Sequence, residues 1–239
     1  GSNGAADVAG AYNQGWFDRG TKVVSSLRTS LVTNPPDGKI PYSAEGLKRL
    51  AEVAERRRLH PADGPEDLTL ADRCILWRTA GPPMLPGPYN SNYQIFQAPG
   101  YVAITSEMIH DVRFIPLDGR PHLPASLRQW MGDPRGHWEG NTLVVDTTNF
   151  TDTLKFLGTT GKLHLTERFT RTGADAITYE FTVDDPGMFA KPWSASIPLN
   201  RSQELIFEYA CHEGNYAVPG ILGGARKAER ELESKKTSR

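Results

Sequence analysis

The sequence lacks several features that would place it in a familiar functional class. It contains only two cysteines in 239 residues, and they do not form the paired Cys-x-x-Cys spacing of a zinc site. No run of about twenty apolar residues, the length that crosses a bilayer, occurs in the chain. There is also no Gly-x-Ser-x-Gly nucleophile motif and no phosphate-cradling loop. We therefore expect no membrane insertion and no nucleophilic serine chemistry.

The chain also lacks a dominant charge. Its formal net charge is −1 and its pI is near 6.7, and its Lys and Arg residues are spread along the sequence, so no basic patch indicates nucleic-acid binding. A length of 239 residues is enough for one substantial core. We expect one all-β domain with decorated ends and a small molecule as its partner. The sequence assigns no oligomeric state.

Composition divides the chain into three parts. Residues 1–88 form a Pro-rich extension that packs on the main body and contains one amphipathic helix, for which Ser43 is the predicted N-cap. Residues 89–224 form the predicted β-barrel domain. Residues 225–239 are a charged tail, for which we expect a short solvated helix.

Short segments of alternating hydrophobicity, separated by turn residues, predict a mainly β chain. The predicted strands are 93–97, 101–109, 112–116, 137–139, 142–147, 163–171, 176–183, 193–199 and 204–211. Several of them are joined by hairpin-like links. This spacing favours an antiparallel, lipocalin-like β-barrel or a sandwich over alternating strands and helices.

Strand alternation between residues 102 and 114 predicts which side chains point inward. One face carries Val102, Ile104, Met108, His110, Val112 and Phe114, and the other carries Thr105, Glu107, Asp111 and Arg113. His110 is therefore predicted to point into an apolar interior. By the same argument, Glu167 shares its face with Leu163, Leu165 and Phe169.

Two ionisable residues on apolar faces are the leading catalytic candidates. Burial raises the pKa of a carboxyl group towards the range useful for proton transfer, so His110 and Glu167 in one cavity would serve as base and acid. The alternative is that each is a core polar residue with a protein partner. For Glu167 that partner would be Arg113 or Arg168.

His212 is a third catalytic candidate, because it follows a predicted strand whose end would open onto the barrel mouth. Its alternative role is to support the turn at Gly214. A metal site would require His110, His164 and His212 to converge, but alternation places His164 on the polar face. We predict no metal and no cofactor.

Aromatic and polar residues near the predicted barrel mouth are candidates for substrate binding. They are Tyr93, Gln97, Asp111, Arg113, Trp138, Trp193 and Tyr209. An Arg among them would bind a carboxylate or phosphate, and the aromatic rings would suit a flat apolar ligand or a sugar. The alternatives are an internal salt-bridge network for the charged residues and core packing for the aromatic ones.

Cys74 and Cys211 lie far apart in sequence, and each borders a candidate core segment. They form either a disulfide that closes a long loop, as in oxidising compartments, or two buried thiols. The residues themselves leave both possibilities open.

Several motifs resemble those of a widespread family of mostly exported bacterial proteins without an established activity. They are Thr29-Ser-Leu-Val-Thr-Asn-Pro-Pro-Asp-Gly-Lys-Ile-Pro, Asp72-Arg-Cys, Gly100-Tyr-Val-Ala-Ile-Thr-Ser-Glu-Met-Ile-His-Asp, Leu117-Asp-Gly-Arg-Pro-His, Gln129-Trp-Met-Gly-Asp, His137-Trp-Glu-Gly-Asn-Thr-Leu-Val-Val-Asp-Thr-Thr-Asn-Phe and Glu208-Tyr-Ala-Cys-His-Glu-Gly-Asn-Tyr. The resemblance implies a periplasmic or secreted protein whose signal segment is not part of this sequence. Export in turn favours the disulfide. The resemblance implies no catalytic residue.

Three functional hypotheses follow from these observations. The first is a cofactor-independent enzyme of lyase, isomerase or cyclase type, which uses acid and base groups on a small, largely apolar or aromatic molecule inside the barrel. The second is a non-catalytic small-molecule-binding protein of the periplasm with the same cavity. The third is a structural protein with a filled core.

Overall fold

The computed structural model describes residues 27–152 and 156–237, and the side chain of His110 lies outside that description. The described chain is mainly antiparallel β, as predicted. Its elements are β1 (Val32–Asn34), α1 (Ala44–Leu59), β2 (Tyr93–Ala98), β3 (Tyr101–Ser106), β4 (Val112–Pro116), β5 (Asp133–Glu139), β6 (Thr142–Thr148), β7 (His164–Gly173), β8 (Ala176–Asp184), β9 (Trp193–Asn200) and α2 (Ala217–Thr237). Two short 3-10 helices, Pro65–Asp67 and Met108–His110, complete the set.

The strands form two antiparallel sheets. The large sheet has six strands in the order β1-β9-β8-β7-β6-β5, and the small sheet has three in the order β2-β3-β4. Strands β5 to β9 pair with their sequence neighbours, as expected for short hairpin connections. The sheets of the described chain do not close on each other. A barrel is therefore not confirmed, whereas the mainly antiparallel β class is.

One apolar core joins the two sheets. Val102 and Ile104 of β3 belong to the same buried cluster as Val145 of β6, Leu165 of β7 and Phe181 of β8. Burial of a side chain of this kind contributes about 1.5–3 kcal/mol to folding. The extension before residue 89 also takes part, because β1 adds an edge strand beside β9 and Met84 enters the core.

Strand β4 buries the face opposite to the one that strand alternation predicted. Ile109 adopts a φ of 61° inside the 3-10 turn, and this turn interrupts the alternation that we assumed to be continuous. Arg113 therefore points inward and is only 3 % exposed, whereas Val112 is 37 % and Phe114 is 64 % exposed. The prediction that Val112 and Phe114 share the inner face was wrong.

The prediction of a strand over residues 204–211 was also wrong. After β9 ends at Asn200, residues 201–210 form no strand. We call residues 201–216 the strap. The backbone N–H of Phe207 donates to the Glu107 carboxylate at 3.2 Å, so a side chain takes the place that a neighbouring strand would have taken.

The strap is fixed to the body by a disulfide between Cys74 and Cys211. Of the two possibilities for these cysteines, the structure contains the bridge. Close to it, the Asn215 side-chain amide donates to the carbonyl of Asp72 at 3.0 Å. The strap is thus anchored at its middle by Glu107 and at its far end by Cys74 and Asp72.

The two helices lie at the periphery. Helix α1 begins after Ser43, whose hydroxyl accepts a hydrogen bond from the N–H of Gly46 at 2.9 Å, as the N-cap prediction required. A Cβ at Gly46 would lie 2.1 Å from the carbonyl oxygen of Met188, so only glycine allows this close approach. Helix α2 begins at Ala217, and no helix in the described ranges is long and apolar enough to span a membrane.

Candidate functional site

A cleft with a volume of about 990 Å³ opens between the two sheets. It lies at the end of the large sheet where the β5–β6 and β7–β8 hairpins turn and where β9 ends. The small sheet supplies the opposite wall from β2 and β3, and the first residues of the strap complete the lining. Three structural units therefore meet around one concave space.

The floor of the cleft is apolar. Val102, Ile104, Leu143 and Phe169 line it, and each is almost fully buried. Alternation places these residues on the inner faces of their strands. Trp138 stands directly opposite Leu143 in the pairing of β5 with β6, yet its side chain remains 46 % exposed. An indole is thus presented at the mouth of an apolar cavity.

Three charged residues at the rim, Arg171, Asp175 and Arg201, are engaged with protein partners. The guanidinium group of Arg171 donates to the carbonyls of Gly173 at 3.1 Å and Ala174 at 2.9 Å. Arg201 lies 3.4 Å from the carboxylate of Asp175. These contacts close the turn between β7 and β8 onto the end of β9, so they shape the rim.

The strap covers part of the cleft through Leu205 and Ile206. Its position depends on Glu107, a carboxylate that is only 3 % exposed. One carboxylate oxygen of Glu107 accepts from the N–H of Phe207, and the other accepts from the Asn92 side chain at 2.9 Å. Glu107 therefore links the start of β2 to the strap.

Outside the cleft lining, Arg113, Glu167 and Tyr179 form a buried ion-pair cluster. The guanidinium group of Arg113 donates two hydrogen bonds to the two carboxylate oxygens of Glu167, one of them at 3.0 Å. The Tyr179 hydroxyl donates to Glu167 at 2.6 Å and accepts from the N–H of Met84 at 3.0 Å. Glu167 is 0 % exposed. The cluster connects β4 of the small sheet to β7 and β8 of the large sheet.

Burial and the neighbouring charges determine the protonation states of Tyr179 and Arg113. Desolvation raises the pKa of the Tyr179 phenol well above its ordinary value, and the neighbouring Glu167 carboxylate adds to the effect. Desolvation is the largest single effect on Arg113 and opposes its positive charge, but the attraction and hydrogen bonds to Glu167, together with the nearby Tyr179 and Tyr93, outweigh it and raise the pKa of the guanidinium group. The phenol thus stays neutral and the guanidinium group stays charged.

The structure places two of the three catalytic candidates, Glu167 and His212, outside the cleft lining. Glu167 is sealed against Arg113 and Tyr179, which is the partnered alternative with Arg113 rather than Arg168. His212 is exposed in a turn beside the disulfide and does not line the cleft. The side chain of His110 lies outside the described residues. A catalytic role for any of the three stays a prediction.

The substrate-binding candidates are divided in the same way. Tyr93, Gln97 and Trp138 line the cleft, and the Tyr93 hydroxyl donates to the carbonyl of Thr79 at 2.6 Å. Arg113 is buried in the ion-pair cluster. The remaining three, Asp111, Trp193 and Tyr209, lie outside the cleft lining. Trp193 is 2 % exposed and packs edge-on against the core rings of Phe181 and Phe189.

Sequence patterns did not identify the hairpin residues of the lining. Asn141, Arg171, Asp175 and Asn200 come from turns or strand ends, where periodicity carries no information about direction. A usable signal did exist, because alternate hairpin turns of an antiparallel meander lie at the same end of the sheet. By that rule, these residues are expected to lie close together at one end of the large sheet.

The outer face of the large sheet carries a second polar group, which we call the surface histidine cluster. His122 reaches Asp133 at 3.2 Å through Nδ1 and Asp146 at 2.9 Å through Nε2. His164 hydrogen-bonds the other oxygen of Asp146. This hydrogen bond lowers the pKa of Asp146 and raises the pKa of His164. The sequence placed His164 on the polar face but did not identify its partner.

Residues 27–152 and 156–237 contain no group of side chains arranged to bind a metal ion. No three His, Cys, Asp or Glu side chains of these ranges converge in a way that would hold an ion. The nitrogen atoms of His122 are both directed at carboxylate oxygens at hydrogen-bond distance. The surface histidine cluster is therefore a hydrogen-bonded network.

Comparison with known proteins adds no information about the fold or the cleft. The chain matches no protein-family model, no curated protein and no solved structure.

Proposed function

We propose that this protein binds a small, largely apolar molecule in the cleft between its two sheets. The observation that carries the proposal is a concave space of about 990 Å³ with an apolar floor and a polar rim. Small-molecule sites have volumes of roughly 300–1,000 Å³ and combine an apolar lining with a few polar groups. This is the second hypothesis drawn from the sequence, transferred from a barrel interior to an intersheet cleft.

The positions of the acid and base candidates support binding more than catalysis. A general acid or base must come within about 2.6–3.2 Å of the proton that it transfers, directly or through one water. Glu167 has both oxygens bonded to protein groups and does not line the cleft. Among the described side chains, no His lines the cleft. The acid-base enzyme hypothesis now depends on His110.

We also propose that the protein acts in an oxidising compartment, as a periplasmic or secreted protein. The support is the disulfide between Cys74 and Cys211, because such bonds persist mainly outside the reducing cytosol. The strap that this bond anchors contributes to the cleft lining. Formation of the disulfide and assembly of the binding site would then occur in the same compartment.

Obstruction of the cleft tests the binding proposal. N-phenylnaphthylamine, an uncharged probe that fluoresces in apolar surroundings, should bind the wild-type protein at one site. Ala174→Trp places an indole in the lining and should weaken binding at least about tenfold, a loss of roughly 1.4 kcal/mol. Ala125→Trp is the matched control, since Ala125 is exposed in a loop outside the lining.

Fluorescence titration and thermal melts of the three proteins give the result. The proposal requires that only Ala174→Trp loses affinity and that both variants melt like the wild type. Absence of probe binding, or equal binding by Ala174→Trp and wild type, would contradict the proposal.

A further inference from the structure

The charges around the cleft set the electrical character of its ligand. The lining contains two cationic side chains, Arg171 and Arg201, and two anionic ones, Asp175 and Glu204, so its formal charge is zero. Arg171 donates to hairpin carbonyls and Arg201 is paired with Asp175. A charged ligand group would meet no net opposite charge here.

The floor adds a penalty against ionised groups. Val102, Ile104, Leu143 and Phe169 offer no hydrogen-bond partner from their side chains, and an ionised group that is pressed against them loses its hydration without compensation. An uncharged aromatic or fused ring loses little by the same transfer and gains apolar contact. The floor therefore selects against charge.

The rim provides hydrogen-bonding groups that carry no charge. Gln97, Asn141 and Asn200, whose side chains carry uncharged amides, all line the cleft. An amide offers both a donor and an acceptor, so it matches hydroxyl and carbonyl groups. The amide of Asn141 is held in place because its nitrogen donates to the carbonyl of Arg171 at 2.9 Å.

Trp138 gives the site a flat surface. Its indole stands on the inner face next to Leu143 and is 46 % exposed, although it lines an apolar cavity. Aromatic rings stack with an additional gain beyond burial of their area. A ligand ring in the cleft can therefore cover the exposed part of the indole.

From these observations we infer that the ligand is an uncharged molecule with an aromatic or fused-ring body and at least one hydroxyl or carbonyl group. The ring body stacks on Trp138 above the apolar floor, and the polar group meets the amide rim. This inference rests on the proposed function and specifies the class of ligand for that same site.

A matched pair of probes tests the charge. N-phenylnaphthylamine and anilinonaphthalenesulfonate share one ring system and differ by a sulfonate group. The uncharged probe should bind at least about tenfold more tightly. Equal or tighter binding of the sulfonate at a site blocked by Ala174→Trp would overturn the inference and leave the proposed function intact. Failure of both probes to bind would instead overturn the proposed function.

Competition experiments test the stacking surface and the rim. Naphthol should displace N-phenylnaphthylamine more effectively than naphthalene does. Gln97→Leu should remove most of that difference. Gln203 is exposed and lies outside the lining, so the control Gln203→Leu should preserve the difference. Trp138→Ala should weaken the uncharged probe about tenfold, whereas Trp138→Phe and the control Trp130→Ala should retain most of its affinity. Equal displacement by naphthol and naphthalene, or unchanged affinity in Trp138→Ala, would overturn the assigned ligand class.

Discussion

Two carboxylates of this protein are each shared by two partners, but they lie in opposite environments. Glu167 binds Arg113 and Tyr179 in a site that is sealed from water. The carboxylate of Asp146 binds His122 and His164 on the outer face of the large sheet, where its side chain is 37 % exposed. The pKa values of Arg113 and Tyr179 are raised from ordinary values that already lie far above neutral pH, whereas the pKa of His164 is raised from an ordinary value of 6.5. Similar connectivity therefore serves fixed structure in one place and pH response in the other.

The largest expected effect comes from Glu167→Gln. This change leaves the charge of Arg113 buried without its counterion, which costs about 3–5 kcal/mol of unfolding free energy. Urea unfolding measures the loss. The double variant Arg113→Met with Glu167→Gln removes both charges and should recover much of the stability. A double variant that is less stable than Glu167→Gln alone would show that the charge pair itself stabilises the fold.

A smaller loss is expected from Tyr179→Phe. The N–H of Met84 then has no phenol oxygen to bind, and Glu167 loses one donor. An unsatisfied buried polar group costs about 1–3 kcal/mol. Phe169→Leu, which alters the adjacent ring contact and leaves these hydrogen bonds in place, is the control for packing. Unchanged stability in Tyr179→Phe would mean that the cluster is held by Arg113 and Glu167 alone.

The Asp146→Asn variant should show a pH-dependent effect. Asp146 has a lowered pKa, so its contribution is present above its ordinary value of 3.8 and is lost as the pH falls through its folded value. His164 has a raised pKa, so its contribution is present below its ordinary value of 6.5 and is lost as the pH rises through its folded value.

The stability difference between wild type and Asp146→Asn should therefore be largest between about pH 4 and pH 6.5, and it should shrink on either side. Because the group is more than one third exposed, we expect at most about 1 kcal/mol. Urea unfolding across this pH range measures the difference, with His164→Gln as the second variant. A difference that does not vary with pH would exclude the hydrogen bond to His164 as its source.

The smallest effect should come from Glu139→Gln. Glu139 contacts Arg168 and His137 at an exposed end of the same sheet, and the hydrogen bond from Arg168 lowers its pKa. Solvent screening makes such pairs nearly neutral for stability. Unfolding curves of Glu139→Gln and wild type should coincide. A clear shift would show that exposure is a poor guide to the difference between the two shared carboxylates.

Local patterns predicted much of the β architecture. Strands β4, β7, β8 and β9 were predicted to within a few residues, because clear alternation and turn residues bound them. The inner position of Glu167 and its possible pairing with Arg113 were also available from the sequence. What alternation could not supply was the phase after Ser106, since a 3-10 turn with Ile109 at positive φ reverses which residues face inward.

The cleft was less accessible to sequence reasoning. Its floor could be predicted, because Val102, Ile104 and Phe169 follow strand periodicity. Its rim depends on which hairpin turns meet at one end of the sheet, and its cover depends on the strap. The apolar run Leu205-Ile-Phe predicted a strand, but its neighbour is the side chain of Glu107. Contacts between residues about 100 positions apart leave no periodic trace.

The disulfide also decides how the molecule would respond to mechanical load. Cys74 and Cys211 enclose all strands from β2 to β9 within one covalent loop. A pulling force on the two chain ends passes through this bond, so β1 and α1 detach while the enclosed strands carry no tension. Reduction would add 137 residues to the extensible length, on the order of 450 Å at full extension. The oxidised protein therefore extends less under force than the reduced protein does.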